Sequence, residues 1–527
     1  MWFKTVNMEE TIKYPVGIQT FENIREGNYL YVDKTALSYD LVNRYKYVFL
    51  GRPRRFGKSL LISTLQAYFE GRKDLFEGLA VSGLEKHWTC HPVLRFDLSG
   101  ESYEHLDKLR ARLHFLLSRF EKIYGSDSSE TTLASRFSGI INRAQKKTNQ
   151  SVVILIDEYD KPMVDNFHKK KLIDDFKDEL RGFYSVIKES DEHIRFAMLT
   201  GVTKFAHVSI FSGLNNLADI SLNERYNAIC GITESEFRQD FVSSVRQFSK
   251  EKGISEDDVW ELFRKNYDGY HFSTVEEGIY NPFSVINAFN DCKVGKYWFA
   301  SGTPTMLINI LRKYDYPLKN IEGARLSASQ LSDISKPERN YHALFFQTGY
   351  LTIKGYDEEY EKYTLGFPNL EVSSAFWDCL YNQFILDNTS DPTSFDIVDF
   401  IEDVRSGRPE DFMTRIQSLI SELSPGVERK KEVHFQNILQ IIFKMLGLKV
   451  DSEVTFASGR ADMIVKTSDF VYVMEFKIND SAEDALRQII AKNYAAPFKS
   501  DPRTVYLIGA KFDAATNQLD SFEIESL

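Results

Sequence analysis

The first half of the chain alternates near-continuous apolar runs with longer segments in which apolar residues recur at helical spacing. The apolar runs lie at residues 46–51, 92–99, 151–160, 194–202 and 227–233. Such runs are typical of parallel strands that are covered on both faces. The segments between them include residues 102–125 and 171–190, which we predict to be amphipathic helices. Strands that alternate with helices predict an α/β domain with a doubly wound parallel sheet.

From about residue 234 the pattern changes to helical segments separated by short, aromatic-rich strands. Residues 345–357 and 363–372 predict the two strands of a hairpin. Residues 386–396 gather Asn, Asp, Ser, Thr and Pro, which predicts a domain boundary. After this boundary, residues 434–447 predict an amphipathic helix, followed by three or four strands and a last helix.

These patterns predict more than one domain, as a length of 527 residues also does. The predicted domains are an α/β domain at 1–233, a mostly helical region with a small hairpin at 234–385, and a C-terminal α/β domain at 386–527. We expect the middle region to act as a lid and a transmitter. Its aromatic motifs are interpreted as packing and turn residues rather than as catalytic groups.

Composition and charge exclude several classes of protein. The formal net charge of −11 argues against a protein that coats nucleic acid, so any such contact requires a local basic patch. The four cysteines, at positions 90, 230, 292 and 379, form no CxxC pair, which argues against a zinc site or a disulfide framework. We expect them to be buried single thiols in a reducing cytosol.

The chain shows no targeting or membrane signal. No apolar run approaches the roughly 18 residues that a membrane span needs, and the first residues lack a basic segment followed by an apolar one. We therefore expect a cytoplasmic protein without membrane contact.

A loop between a buried strand and a helix carries the first candidate site. In "YVFLGRPRRFGKSLL", residues 47–61, successive backbone N–H groups and a helix N-terminus can face one anion. Gly57 permits close approach, Lys58 can reach terminal phosphates, and the Ser59 hydroxyl can bind Mg²⁺. The usual spacing expects glycine where Arg52 stands, and the glycine is Gly51 instead. The alternative is an ordinary basic turn.

A second strand ends in a pair of acids. In "VVILIDEYD", Asp157 would hold Mg²⁺ through water, and Glu158 would polarise the water that attacks the γ-phosphate. The alternative is a solvated pair at a strand end. Thr200 and Thr203, at the end of another strand, are candidates for sensing the γ-phosphate, although threonine at a strand end is common.

The C-terminal domain carries a separate constellation. Glu475 and Lys477 stand two apart on a predicted strand and therefore share a face. Asp462, on the preceding strand, can complete a two-carboxylate pocket for Mg²⁺, with Lys477 stabilising charge or positioning water. Glu432 is a further candidate carboxylate, and Gln488 lies on the following helix. The alternative is an exposed sheet face with a salt bridge.

Several motifs resemble a known family of bacterial and archaeal proteins, the AAA-ATPase-like family. They are "YVDKT" (31–35), "RPRRFGKSLL" (52–61), "LIDEYD" (155–160), "LTGVTKF" (199–205), "YDGYHF" (267–272), "YNPFS" (280–284) and "FQTGYLT" (346–352). In that family the ATPase region precedes a nuclease-like domain of the PD-(D/E)XK superfamily, which residues 430–500 resemble through their D…E-x-K pattern. The displaced glycine also recurs in the family's loop.

The resemblance implies a P-loop NTPase fold followed by a restriction-endonuclease-like domain. It implies ATP and Mg²⁺ as cofactors, with the nucleotide held by Asp157 and by the loop and helix start, which comprise Arg55, Phe56, Gly57, Lys58, Ser59 and Leu60. The catalytic residues would be Glu158, Asp462, Glu475 and Lys477, and the metal ligands Ser59, Asp157, Asp462 and Glu475. The expected partner is nucleic acid, DNA in preference to RNA.

We therefore expect an ATPase whose nucleotide state controls a metal-dependent nuclease domain. One alternative is a nucleotide-driven switch whose last domain binds nucleic acid or a protein without cleaving it. Another is a small-molecule kinase, which leaves the last domain unexplained. ATPases of this class often use an arginine from a neighbouring subunit, so a homo-oligomer is possible, with Arg225 and Arg238 as suppliers. Arg52, Arg54 and Arg55 form a basic patch or serve ATP itself.

Overall fold

The structure is a computed structural model. It describes residues 12–167, 169–204, 216–300, 307–308, 310–311, 316–334, 340–384, 397–422, 432–445, 449–456, 459–478, 480–513, 516 and 518–527. The chain forms two compact units, and each of them is made of two separate segments of the sequence. Unit 1 comprises Met1–Gly302 and Arg325–Glu371, and unit 2 comprises Thr303–Ala324 and Val372–Leu527. The predicted boundary at 386–396 lies outside the described residues, and the predicted three-part division stays a prediction.

Unit 1 is built on a parallel sheet of five strands. In chain order they are β1 (Tyr47–Gly51), β2 (Val93–Asp97), β3 (Val152–Asp157), β4 (Ile194–Gly201) and β5 (Ala218–Asp219). The spatial order is β2-β3-β4-β1-β5, and all pairings are parallel. The predicted α/β class is confirmed. The predicted strand at 227–233 is wrong, because the fifth strand is β5 and only Ile232–Thr233 of that segment is extended, in a separate sheet.

Helices connect and cover these strands. They are α1 (Phe21–Glu26), α2 (Thr35–Arg44), α3 (Lys58–Phe69), α4 (Val81–Leu84), α5 (Leu106–Tyr124), α6 (Leu133–Thr148), α7 (Lys161–Asp165) and α8 (Lys170–Glu189). The helices predicted at 102–125 and 171–190 are confirmed as α5 and α8. All six residues of β3 are buried. Burial of its five apolar side chains, Val152 to Ile156, contributes about 1.5–3 kcal/mol each, which explains why the sheet forms the centre of the unit.

The rest of unit 1 is mostly helical, as predicted. It contains α9 (Glu234–Asp240), α10 (Val242–Lys252), α11 (Glu256–Tyr267), α12 (Pro282–Asn290), α13 (Tyr297–Ala300), α14 (Ala328–Ser332), α15 (Tyr341–Thr348) and the start of α16 (Leu370–Phe384). Aromatic side chains form much of its core, for example Phe263 and Phe289, whose rings stack at 4.1 Å. The capping box of Thr233 with Glu236 fixes the start of α9.

Two small antiparallel sheets complete unit 1. One pairs β6 (Ile232–Thr233) with β7 (Ile279–Tyr280). The other has the order β8-β10-β9, with β8 (Arg325–Leu326), β9 (Thr352–Asp357) and β10 (Lys362–Gly366). The predicted hairpin is therefore confirmed for β9 and β10, although its first residues belong to α15.

Unit 2 contains a mixed sheet in the order β11-β12-β13-β14-β15. The strands are β11 (Lys449–Phe456), β12 (Gly459–Lys466), β13 (Phe470–Lys477), β14 (Thr504–Asp513) and β15 (Gln518–Ser526), and only β13 and β14 pair in parallel. Its helices beyond α16 are α17 (Ile397–Arg405), α18 (Pro409–Glu422), α19 (Glu432–Met445) and α20 (Ala482–Ala491). The helix at 434–447 is confirmed as α19. The strands and the helix predicted after it are confirmed as β11 to β13 and α20, but β14 and β15, which follow α20, were not predicted.

The early segment of unit 2 is fastened to α19. Asn437 of α19 accepts a hydrogen bond from the Leu318 backbone N–H at 3.0 Å and donates to the Tyr316 carbonyl at 3.0 Å. Two backbone partners on one buried amide explain why residues 316–318 belong to this unit although they precede most of it by more than fifty residues.

Short 3₁₀ turns occur at Lys73–Phe76, Asp191–His193, Glu224–Tyr226, Leu318–Asn320 and Ala496–Phe498. Cys230 is buried, as expected, but Cys90 is exposed, so the expectation of a buried thiol is wrong for Cys90. Within the described ranges, no helix combines the length and the apolar character that crossing a membrane requires.

Candidate functional site

The loop between β1 and α3 has the geometry of an anion cradle. Gly57 adopts φ +92°, a left-handed conformation, and immediately precedes the first residue of α3. A Cβ at Gly57 would meet no atom within 4 Å, so the position opens onto space. Arg55 is also left-handed, with φ +67°. Left-handed residues that alternate with others in this way can direct successive backbone N–H groups toward one region, next to the positive end of a helix.

Lys58 is buried within this loop. Its Nζ donates to the carbonyl oxygens of Arg52 at 3.0 Å and Pro53 at 2.9 Å. Burial lowers the Lys58 pKa, while the nearby carboxylates of Glu158 and Asp157 oppose this effect. An anionic ligand would supply a stronger partner than the two carbonyls do.

Arg52 has a structural position, which explains the missing glycine of the usual spacing. Its guanidinium is buried, donates to the Ser221 carbonyl at 2.6 Å and to the Tyr226 carbonyl at 3.2 Å, and stacks 4.2 Å from the Phe272 ring. Burial lowers the Arg52 pKa to about 10. Of the three arginines in the predicted basic patch, Arg52 therefore holds the loop in place, and Arg54 and Arg55 line a cavity.

The end of β3 carries the predicted acid pair. The Asp157 carboxylate is buried, accepts a hydrogen bond from Thr200 Oγ1 at 2.6 Å and lies 3.9 Å from the Arg95 guanidinium. Glu158, with φ +53°, lines the cavity, and burial raises its pKa while Lys58 opposes the rise. A strained left-handed glutamate at a strand end is typical of a functional site.

Each of the two candidate threonines donates a side-chain hydrogen bond to a carboxylate. Thr200 donates to Asp157, whereas the Thr203 side chain donates to Asp160 Oδ2 at 2.6 Å. Asp160 also accepts the Thr203 backbone N–H at 2.6 Å, so it caps the turn after β4. Thr200 is therefore linked to the acid pair, and Thr203 is linked to the turn.

The loop and Glu158 face one cavity of about 400 Å³, whereas Asp157 is buried behind them and does not line it. Its polar lining includes Arg54, Arg55, Lys58, Ser59, Glu158 and Lys161. An adjoining recess of about 90 Å³ is mostly apolar and includes Tyr31, Leu61, Ile229 and Cys230, and both cavities share Gly57 and Leu60. A polar chamber beside an apolar recess suits a ligand with an anionic end and an apolar ring.

Lys161 was missed from the sequence, although it stands at the start of the helix that follows β3. Its Nζ pairs with Asp165 at 2.9 Å. The residue lines the same cavity as Glu158 and carries the opposite charge. Its position four residues after Asp157, at the same edge of a parallel sheet, was the available signal.

Other candidates lie away from the polar chamber. The Phe56 side chain is buried against Tyr270 and Phe272, with ring centroids at 4.8 and 5.2 Å, and the residue lines the apolar recess rather than the polar chamber. Arg225 forms an ion pair with Asp40 at 2.7 Å, and Arg238 forms one with Glu234 at 2.6 Å. Both arginines are thus engaged within their own chain.

Unit 2 brings together Asp462, Glu475 and Lys477. Antiparallel pairing of β12 and β13 places Asp462 beside the end of β13, where its Oδ2 accepts the Phe476 backbone N–H at 2.8 Å. Lys477 Nζ lies 3.4 Å from Glu475 Oε1. Gln488 of α20 donates to the same Oε1. The predicted partners on neighbouring strands and on the following helix therefore converge.

Glu475 is the group whose electrostatics stand out in this cluster. Burial raises its pKa to about 7, the nearby Asp462 charge adds to the rise, and Lys477 opposes it. Its Oε2 is buried and has no hydrogen-bond partner among the described residues. A buried carboxylate oxygen without a partner costs free energy unless a cation or a water serves it.

These residues fit a divalent cation. Asp462 and Glu475 supply hard oxygen ligands, and the Oε2 of Glu475 is available to one. The described part of the chain contains no group of three or more His, Cys, Asp or Glu side chains arranged around one point, so the protein ligands there would be these two carboxylates. The α19 residue Glu432 begins that helix, but its side chain lies outside the described residues.

The parallel sheet, the strand–loop–helix cradle and the acid pair define unit 1 as a P-loop ATPase-like fold, and the mixed sheet with its D…E-x-K cluster defines the last domain as nuclease-like. Comparison with known families agrees. Residues 15–211 match the family described as "Predicted AAA-ATPase", and residues 430–522 match the PD-(D/E)XK nuclease superfamily.

A relative from Azotobacter chroococcum mcd 1, named "Uncharacterized protein in vnfD 5'region", is 35% identical over 539 residues, which cover 98% of this chain and 99% of the relative. The chain therefore belongs to the AAA-ATPase-like family, with a C-terminal domain of the PD-(D/E)XK nuclease superfamily.

Proposed function

We propose that the protein binds and hydrolyses ATP in unit 1 and that its nucleotide state controls a metal-dependent phosphodiesterase in unit 2. The observation that supports the first activity is the convergence of Lys58, Ser59 and Glu158 on one cavity at the start of α3. The observation that supports the second is the buried Glu475 oxygen beside Asp462 and Lys477.

In unit 1 the loop would hold the triphosphate through backbone N–H groups and Lys58, with Arg54, Arg55 and Lys161 adding positive charge. The apolar recess would take the base. Ser59 and Asp157 would hold Mg²⁺, which when bound would neutralise charge on the β- and γ-phosphates. Glu158 would accept the proton of the attacking water, a role suited to a carboxylate whose pKa burial raises.

In unit 2 Asp462 and Glu475 would hold a divalent cation that, when bound, activates water and the scissile phosphate. Lys477 would stabilise the charge that develops on the phosphate during attack. Gln488 would keep the Glu475 carboxylate oriented toward the site. We propose nucleic acid as the substrate, with DNA preferred to RNA, and a cytoplasmic location.

The test measures cleavage of labelled DNA and RNA by the full-length protein with Mg²⁺ or Mn²⁺, in the presence and absence of ATP. Lys477→Ala should abolish cleavage. Lys511→Ala is a matched control, because Lys511 lies on the neighbouring strand and pairs with Asp520 at 2.7 Å. Metal-dependent cleavage that responds to ATP and is lost in Lys477→Ala supports the proposal. Binding of nucleic acid without cleavage would support a switch instead.

A further inference from the structure

The phosphate-binding loop is held from behind by Trp298 of α13. The indole Nε1–H of Trp298 donates to the Arg54 carbonyl oxygen at 3.0 Å, and the side chain is buried. A trans peptide is planar, so its C=O and N–H groups point in opposite directions. The carbonyl of Arg54 faces Trp298, and the N–H of Arg55 in the same peptide therefore faces away from Trp298.

The same tryptophan is fastened on its other side by Glu371. The backbone N–H of Trp298 donates to Glu371 Oε1 at 2.8 Å, and the Glu371 side chain is buried. Glu371 lies in the first turn of α16 and is the last residue of unit 1, since Val372 belongs to unit 2. Two hydrogen bonds thus connect a peptide of the loop with the point where the chain leaves unit 1.

Close packing leaves this connection little freedom. Gly349 adopts φ +91°, and a Cβ there would lie 2.6 Å from Pro53 Cβ and 3.2 Å from Trp298 Cζ2. The Trp298 ring also packs edge-on against Tyr350, with centroids 5.2 Å apart. In a close-packed interior, a shift of the loop is therefore transmitted to Trp298 rather than absorbed by empty space.

We propose that Trp298 and Glu371 are positioning residues that orient the Arg54–Arg55 peptide for triphosphate binding and carry the state of the loop to α16. The proposal rests on the proposed ATP binding and names the route by which nucleotide would influence the chain beyond Glu371. Binding of a triphosphate would draw the Arg55 N–H toward the anion, and the opposed Arg54 carbonyl would pull on the indole and, through its backbone, on Glu371.

The test compares variants of the full-length protein by two measurements. These are the equilibrium dissociation constant for radiolabelled ATP with Mg²⁺, and the ATP-induced change in hydrogen exchange across residues 370–384. Trp298→Phe keeps an aromatic ring and removes the donor. We expect it to weaken ATP binding about fivefold to tenfold, as the loss of one positioning hydrogen bond does, and to abolish the exchange response. Trp260→Phe, at another buried tryptophan of unit 1, should match the wild type.

A second pair of variants separates positioning from folding. Glu371→Gln keeps an oxygen acceptor for the Trp298 N–H and should retain the exchange response, whereas Glu371→Leu should lose it. Circular dichroism checks that each variant folds. If Trp298→Phe does not fold, the exchange responses of the two Glu371 variants test the proposal instead.

The outcomes distinguish the two proposals. Wild-type protein that binds ATP without an exchange response across 370–384 would overturn this inference and leave the ATP site standing, as would a normal response in both Trp298→Phe and Glu371→Leu. Wild-type protein that does not bind ATP would overturn the proposed function and this inference with it.

Discussion

The buried carboxylate of Glu475 allows a quantitative prediction about unit 2. The pKa of Glu475 is about 7 in the folded protein and about 4.5 as an ordinary carboxyl. Below pH 4.5 both the folded and the unfolded states hold the proton, and the group costs nothing. Between these two pKa values the unfolded chain releases the proton and the folded chain keeps it. Stability of the metal-free protein therefore falls as pH rises through this window, and the loss is complete above pH 7.

The size of the loss follows from the difference between the two pKa values, roughly 2.5 pH units at about 1.4 kcal/mol each, which gives an upper limit of about 3 to 4 kcal/mol. Structural relaxation and entry of water reduce such costs, so about 1 to 3 kcal/mol is expected. Glu475→Gln removes the charge but keeps an oxygen that accepts from Gln488. At pH 8 in EDTA the variant should therefore melt roughly 2 to 12 °C above the wild type.

Bound metal should reduce or reverse the difference in melting temperature between the wild type and Glu475→Gln. A cation that binds Asp462 and Glu475 stabilises the ionised carboxylate, so Mn²⁺ should raise the melting temperature of the wild type and have less effect on Glu475→Gln. Differential scanning calorimetry of the full-length protein measures both effects, and hydrogen exchange in β13 assigns the transition to unit 2. Glu483→Gln, an exposed glutamate of α20, is the control. Equal melting temperatures of wild type and Glu475→Gln at pH 8, or equal stabilisation by metal, would refute the reasoning.

Three further predictions concern unit 1. Lys58→Ala should weaken ATP binding at least tenfold in an equilibrium binding assay, and unchanged affinity would contradict the cradle. The variant should lose no stability, because burial of the Lys58 charge costs free energy in the folded protein. Glu158→Gln should bind ATP but hydrolyse it about 10² to 10⁴ times more slowly in a phosphate-release assay, and a variant of normal rate would exclude Glu158 as the base. Gly349→Ala should cost about 1 to 3 kcal/mol in thermal unfolding, since its φ is +91° and Pro53 lies 2.6 Å from the new Cβ. Gly355→Ala, where a Cβ meets no atom within 4 Å, should cost less, and equal effects would contradict this explanation.

The strands that carry the sites were predictable because their apolar runs are long and uninterrupted. β3 is buried at every position, and the acids at and just after its last residue must stand at the sheet's carboxyl edge. The two-residue strand Ala218–Asp219 has no period to detect. The apolar run at 227–233 misled us for a physical reason. Ile229 and Cys230 are buried because they line the apolar recess, and burial of that kind gives the same pattern as a strand.

The C-terminal cluster was predictable in composition but not in its electrostatics. Glu475 and Lys477 are two residues apart on one strand, and this spacing alone places their side chains on the same face. The position of Gln488 against the carboxylate and the burial that raises the Glu475 pKa depend on how α20 packs. Trp298 could not have been found at all, since its two partners lie 244 and 73 residues away along the chain.

The hydrogen bonds of Asn437 bear on how the polypeptide is made and how it can be divided. Tyr316 and Leu318 leave the ribosome more than a hundred residues ahead of the side chain that secures them. During synthesis these two residues therefore lack the Asn437 side chain while the residues that complete the ATPase-like unit are added. Any single cut between residues 324 and 437 leaves the two residues on the fragment without Asn437. A nuclease-like module excised at one point would thus lack a piece of itself, and a graft that respects its integrity needs two junctions.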